Sequence, residues 1–431
     1  MNFRKMLKGF SILLSVGIFF VSASNGALAQ EAKKAQLKKG DRIAIAGDSI
    51  TQQLIYSKFI ETYLRACRPD LDVKVIQLGW GGERAPGFLR RMDNDLLLWK
   101  PDLVTLCYGM NDGSYTKYTD VIGKTYENAM REIVERLKKA GATVIVGSPG
   151  VVDNITYKRP AAPAAVYNEN LGKLGEIDRK IASDFGMPFA DLHNPMMDTM
   201  KKAQAAYGNK YHFAGADGVH PGANGHLGMA YAFLKAMGLD GNIGTVTVDY
   251  KGKTEASDGH KVISSSNGKI EVESFRYPFC FSGEKDSPNG TVSILPYVSF
   301  QNELNRFMLV VKNLPAEKAE IKWGNNKKTF TKEQLEKGIN LADEFIDNPF
   351  LPKFNELMGQ VLVKQQYETA MIKGIITNLP NLERDFKDDK DVMNAKEIIR
   401  KKLMDKEEAL QIKTASALTP VRHQIEINSL K

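Results

Sequence analysis

The sequence predicts an α/β domain with a parallel sheet over residues 30–242, a β-rich module over 243–330 and a helical C-terminal region over 331–431. Three observations carry this. From residue 41 to about 240, short apolar runs alternate with helical periodicity, as in a parallel sheet covered by helices on both faces. After 243 the apolar residues alternate with period two. From Lys332 onward the pattern is mainly helical, with breaks near Asn348-Pro349, Leu379-Pro380 and Thr419-Pro420.

In the first region Arg42 to Ala46, Val73 to Leu78, Leu103 to Tyr108, Thr143 to Gly147 and Pro188 to Asp191 read as strands. Their Val/Ile/Leu-rich interiors suit burial on both faces. Between them Tyr126, Met130, Ile133, Val134 and Leu137 make a single helical stripe that stops at Gly141, and Leu171, Leu174, Ile177 and Ile181 repeat the pattern before Gly186. Such stripes are core contacts and receive no chemistry. In the second region Val246 to Tyr250, Ile270 with Val272, Val292 with Ile294, and Phe307 to Val311 read as strands. Ile321 to Trp323 and Lys327 to Phe330 read as a hairpin around Gly324-Asn325-Asn326. Thr331 and Gln334 then predict a capping box, with Phe330 and Leu335 as its hydrophobic staple. Further on, Asp388 to Leu418 is highly charged, with apolar positions at Val392, Ile398, Ile399, Leu403 and Leu410. It reads as a solvated amphipathic helix packed on the rest of the protein.

Residues 1–29 read as a cleaved secretory signal. Arg4, Lys5 and Lys8 precede an apolar run from Phe10 to about Val21, and Ala27-Leu28-Ala29 places small residues at −3 and −1. The apolar run is shorter than the ~20 residues a bilayer span needs, which argues against an uncleaved anchor. No later segment approaches that length, and no cysteine near the cleavage site offers a lipid attachment point. The expected location is periplasmic or extracellular. Loss of the leader lowers the formal net charge from +8 to +5, and the remaining excess is dispersed, without the basic stripe and interleaved aromatics of a nucleic-acid binder. Cys67, Cys107 and Cys280 are too few for a disulfide framework and form no zinc-type cluster.

Four separated motifs carry the chemistry. Gly47-Asp48-Ser49 follows the first strand, Gly79-Trp80-Gly81-Gly82-Glu83 the second and Gly109-Met110-Asn111-Asp112 the third, while Asp217-Gly218-Val219-His220-Pro221 precedes a helix starting near Ala223. Parallel strands end on one edge of the sheet, so these loops can converge on one crevice. A serine hydroxyl needs a base, and His220 supplies the side-chain type that most often fills that role. Asp217, three residues earlier, can hold the other imidazole nitrogen. The backbone N–H groups of Ser49 and Gly82 and the side-chain amide of Asn111 can receive the oxyanion. Of the other histidines, His193 and His226 are assigned to packing, His212 has no motif of its own, and His260 and His423 lie outside this region.

In these residues the chain resembles the SGNH hydrolases, the GDSL esterase and lipase family. Ser49 matches the nucleophile, Gly82 the second-block glycine with Gly81 as a one-residue alternative, Asn111 the third-block asparagine, and Asp217 with His220 the pair in the last block. The resemblance covers about residues 40 to 240. It implies a flavodoxin-like three-layer α/β/α fold with no metal cofactor and hydrolysis of a carboxylic ester through an acyl-serine. The part after 243 resembles the long C-terminal extensions of some exported bacterial members. An exported member most resembles a carbohydrate esterase that removes acetyl or similar groups from polysaccharide, with Trp80, Arg84 and Tyr108 as the expected sugar-facing rim. A lipase or lysophospholipase would surround its site with exposed apolar side chains, whereas Gly113 to Lys117 is polar. A non-catalytic glycan-binding surface protein would have no need of the complete Ser/Asp/His set.

Overall fold

β1 (Arg42–Gly47), β2 (Lys74–Gln77), β3 (Leu103–Cys107), β4 (Thr143–Gly147) and β5 (Phe189–Ala190) form a parallel sheet in the order β2-β1-β3-β4-β5. They coincide with the five runs read as strands. Along β1 the side chains alternate between two cores. Ile43 and Ile45 face helices Tyr56–Cys67 and Ala223–Ala236, and Ala44 and Ala46 face helices Ala85–Asp95 and Asp120–Lys139. This gives the three layers. The stripe Tyr126, Met130, Ile133, Val134 and Leu137 is fully buried. The order of strands reverses between β1 and β3, which lie side by side with Gly47 level with Cys107. Loops leaving these carboxyl ends therefore share one crevice.

The computed structural model describes residues 33–430. The leader expected at 1–29 lies outside the described residues. Residues from Lys33 onward form one compact unit, and the changes of pattern at 243 and 331 fall inside it. β6 (Asn242–Asp249), β7 (Thr254–Ala256), β10 (Arg306–Lys312) and β13 (Ile339–Asn340) make a sheet ordered β13-β10-β6-β7. β8 (His260–Ser266), β9 (Lys269–Ser274), β11 (Lys318–Trp323), β12 (Asn326–Thr331) and β14 (Val421–Leu430) make another, ordered β12-β11-β14-β9-β8. The hairpin is present, with Trp323 opposite Asn326, and so is the capping box of Thr331 and Gln334.

Besides the short strand Ile339–Asn340, which lies in the region read as helical and pairs with β10, three elements differ from the sequence reading. Val292–Tyr297 is a 3₁₀ turn rather than a strand, and Pro296 inside it has no N–H to give to a ladder. Val421–Leu430, within the region read as helical, is a strand paired on both sides, to β11 and β9. Its alternation of Val421, His423, Ile425 and Ile427 buries one face. Helix Lys390–Ser416 packs largely through polar side chains, with Leu403 also against the core. Glu407, Gln411 and Thr414 are buried while Ile398 and Ile399 are exposed, because the neighbour is itself polar. There Gln411 Nε2 donates to the Val75 carbonyl at 2.6 Å and to Glu407 at 2.6 Å.

The helix Leu351–Gly374 lies against helix Tyr56–Cys67 and β2. Lys364, fully buried, donates to the Val75 carbonyl at 2.7 Å and lies 3.2 Å from Glu61, and it also pairs with Glu368. The other Glu368 oxygen accepts the Gln77 N–H at 3.0 Å. Burial pushes the Glu368 carboxyl up, and Lys364 opposes that rise. Buried charges bonded to strand backbone dock the C-terminal helix in one register on β2, because any slip leaves them unpaired.

Candidate active site

Ser49 opens the short helix Ser49–Gln52 directly after β1. Asp48 caps that helix, accepting the Ile50 N–H at 2.9 Å. Burial pushes the Asp48 carboxyl up to about 7 against the Ile50 hydrogen bond, and repulsion from Asp112 and Glu83 adds to the rise. The third motif residue is therefore presented by a buried cap, and Ser49, the first helical residue, has an N–H with no partner inside the helix.

His220 Nε2 lies 2.8 Å from Ser49 Oγ, and His220 Nδ1 lies 2.6 Å from Asp217 Oδ2. With Nδ1–H donating to the carboxylate, Nε2 is left to accept the serine proton. The other Asp217 oxygen accepts the N–H groups of Val219 and His220, each at 3.0 Å. Burial alone would raise the Asp217 carboxyl, but hydrogen bonds from the His220 ring and from those two amides outweigh it and hold it below the ordinary carboxylate value. The loop itself is ordered by Asp153, a fully buried residue that the sequence did not single out. Asp153 Oδ2 accepts the Phe213 N–H at 2.7 Å, and its own N–H donates to the Gly218 carbonyl at 2.9 Å.

The second motif leaves β2 as a tight loop. A side chain at Gly79 would collide with the Gln52 nitrogen at 2.3 Å, so glycine is required where the loop crosses the serine helix. Gly81 donates its N–H to Gln52 Oε1. Gly82, at φ +73°, has no acceptor for its N–H among the described residues, and that conformation favours glycine. Of the two glycines left open by the sequence, Gly82 therefore has the free donor. Asn111 Nδ2 donates one hydrogen to the Glu83 carbonyl at 3.0 Å, and its Oδ1 accepts the Tyr115 hydroxyl at 3.0 Å. Its second amide hydrogen remains available.

Below this loop Arg91 makes a two-bond contact to Glu83, both at 2.7 Å, and reaches Asp95 at 3.1 Å and the Leu78 carbonyl at 2.9 Å. Tyr108 donates to Glu83 at 2.9 Å. Tyr108 is buried, which removes it from the expected rim, since its hydroxyl is spent on that carboxylate. Asp112 accepts the Ala85 N–H at 2.9 Å and the Gly109 N–H at 3.0 Å, tying the second motif to the third, and burial pushes its carboxyl up to about 6. Arg84 is exposed and Trp80 half-buried. Arg91 and Lys373 each lie 4.8 Å from the Trp80 ring centre.

Four of the other histidines are occupied elsewhere. His226 is buried, accepts the Tyr56 N–H at 3.2 Å and faces Gln53 Oε1 at 3.1 Å, and burial holds it down to about 3. His193 meets the Gly150 carbonyl at 3.0 Å. His260 and His423 lie on either side of Ser274, at 2.8 and 2.9 Å. A cavity of about 890 Å³ begins at Trp80 to Arg84 and runs along helix Ala85–Asp95 towards Val121 and Pro380. Ser49, Asp217 and His220 lie outside its walls, and it adjoins the site through Gly82.

Residues 45–227 match the model of the GDSL-like lipase/acylhydrolase family. An acetylxylan esterase of Geobacillus stearothermophilus is 23% identical over 229 residues, which cover 48% of this chain and 97% of that protein. The solved structure of a gut microbial diltiazem-metabolizing enzyme superposes with a TM-score of 0.71 at 22% identity, over 93% of this chain and 100% of that one. Its fold thus extends through the C-terminal region.

Proposed function

We propose that this chain, a serine ester hydrolase whose residues 45–227 belong to the GDSL-like lipase/acylhydrolase family, removes acetyl or similarly small acyl groups from carbohydrate. The observation that carries the chemistry is the unbroken line from Ser49 Oγ through His220 to Asp217, at 2.8 and 2.6 Å. Ser49 Oγ attacks the ester carbonyl while His220 Nε2 takes its proton, and the imidazolium is stabilised by Asp217. The oxyanion is received by the Ser49 and Gly82 N–H groups and the free hydrogen of Asn111, each such donor typically lowering the barrier by ~3 kcal/mol. His220 returns the proton to the leaving alcohol. Water then attacks the acyl-serine by the same route and frees the acid.

The carbohydrate reading is supported by the surroundings. The side chains of His220 and Asp217 are 33% and 49% exposed, so the centre is open enough to meet a polymer. Polar and basic groups flank it, among them Arg84, Tyr115 and Arg159, whose guanidinium lies 4.9 Å from the Tyr115 ring centre. Of the exposed large hydrophobic residues among those described, only Val121 lines the adjoining cavity. The acetylxylan esterase relative points the same way. Export remains part of the proposal and follows from the leader pattern in residues 1–29.

The test is to assay the full chain and Ser49→Ala on p-nitrophenyl acetate, longer acyl esters and acetylated xylan. Acetate release that depends on Ser49 is expected. Equal activity in Ser49→Ala would overturn the serine mechanism, a preference for long acyl chains would favour a lipase, and saturable glycan binding without hydrolysis would favour a binding protein.

A further inference from the structure

The oxyanion-binding loop is held partly by a residue far outside the hydrolase motifs. Lys373, near the end of helix Leu351–Gly374, donates to Gln52 Oε1 at 2.9 Å. The same oxygen accepts the Gly81 N–H. Gln52 closes the helix that Ser49 opens, and Gly81 precedes the free N–H of Gly82. One carboxamide oxygen thus links the serine helix, the glycine loop and the C-terminal region.

We propose that Lys373 is a positioning residue for the oxyanion hole, acting through the orientation of the Gln52 side chain. A glutamine amide can rotate to exchange its oxygen and nitrogen, and only one of those orientations suits Gly81. Turned the other way, its NH₂ would meet the Gly81 N–H, two donors facing each other. An ammonium carries donors alone, so it accepts only the orientation that puts oxygen at the shared point. Lys373 is itself placed firmly. Its ammonium lies 4.8 Å from the Trp80 ring centre, and the backbone N–H of Trp80 donates to the Gly47 carbonyl at 3.0 Å. Nine and five residues earlier on the same helix, Lys364 and Glu368 bond the backbone of β2, the strand that leads into the loop. The C-terminal region therefore completes the reaction centre. Its contact falls on the loop, away from the nucleophile.

This inference rests on the proposed role of Gly82, and the experiment separates the two. Lys373→Met and Lys373→Arg are compared with the wild type on p-nitrophenyl acetate, and Lys373→Met is repeated in a Gln52→Met background. A group that orders an oxyanion donor acts in the transition state. Lys373→Met is therefore expected to lower kcat about tenfold with KM nearly unchanged, less than the 10²–10³ typical of deleting a donor outright. Lys373→Arg, which keeps a cationic donor, should retain most of the activity. In the Gln52→Met background the lysine substitution should cost nothing more, because its effect passes through Gln52. Unchanged kcat in Lys373→Met, a loss confined to KM, or an equal loss in both backgrounds overturns the inference and leaves the hydrolase reading standing. A folded wild type with no esterase activity overturns the hydrolase reading itself.

Discussion

Replacing Asp217 by Asn probes the electrostatic half of the Ser49–His220–Asp217 line while keeping its shape. The Oδ1 contacts to the Val219 and His220 N–H groups, each at 3.0 Å, can persist with an amide oxygen. The 2.6 Å contact to His220 Nδ1 cannot, because an NH₂ then faces a ring N–H. The imidazole relieves this by moving its proton to Nε2, which turns a donor towards Ser49 and removes the base. Where the corresponding aspartate is buried, such a change lowers kcat by about 10⁴. Here the Asp217 side chain is 49% exposed, so water shares in stabilising the imidazolium, and the loss should be smaller. We expect a fall of about 10²–10³ in kcat, roughly 3–4 kcal/mol at 1.36 kcal/mol per decade. Steady-state kinetics on p-nitrophenyl acetate from pH 6 to 9, with circular dichroism to verify folding, measures it. A folded Asp217→Asn protein within about threefold of wild-type kcat would refute the tautomer argument.

Asn111→Ala should lower kcat by about 10²–10³ with little change in KM, since its spare amide hydrogen serves only the oxyanion, and a Michaelis–Menten comparison reads the split. Arg91→Met leaves the carboxylates of Glu83 and Asp95 buried without their cation and should destabilise the fold by about 3–5 kcal/mol, read as a lower urea midpoint. His423, held down to about 3 by burial and by His260, binds fewer protons folded than unfolded, so the stability it contributes is complete above its unfolded pKa and is lost as pH falls. Between pH 7 and 4.5 it should account for about 2–3 kcal/mol of lost stability. Urea unfolding of wild type and His423→Gln at the two pH values tests this, and identical acid sensitivity in both would contradict it.

The α/β domain was legible because its strands are short, doubly buried and separated by clean helical stripes, so that β1 to β5 and the four motif loops could be read directly. What escaped were features defined by contacts distant in sequence. The strand Val421–Leu430 is central in its sheet only because β9 and β11 accept it from either side. Helix Lys390–Ser416 shows apolar positions at helical spacing, yet it docks through Glu407 and Gln411 because the surface it meets offers Arg65, Lys364 and a strand carbonyl. In the site, residue types at motif positions brought Ser49, Asp217 and His220 together. They favoured Gly82 over Gly81 as the motif match but did not show the physical difference, which is that Gln52 takes the Gly81 N–H. Nor did they reveal Asp153, Arg91 or Lys373, whose roles exist only through partners in other loops. Tyr108 was misplaced at the rim because an aromatic residue beside a motif gives no sign of which way it faces.

The most direct test of the account is covalent. Treatment of the full chain with a fluorophosphonate, which phosphonylates activated serines with loss of fluoride, followed by intact-mass and peptide analysis, should give one adduct per chain on Ser49, lost in Ser49→Ala and strongly slowed in His220→Ala. Ester hydrolysis that survives with Ser49 unlabelled, or labelling that settles on another serine, would contradict it.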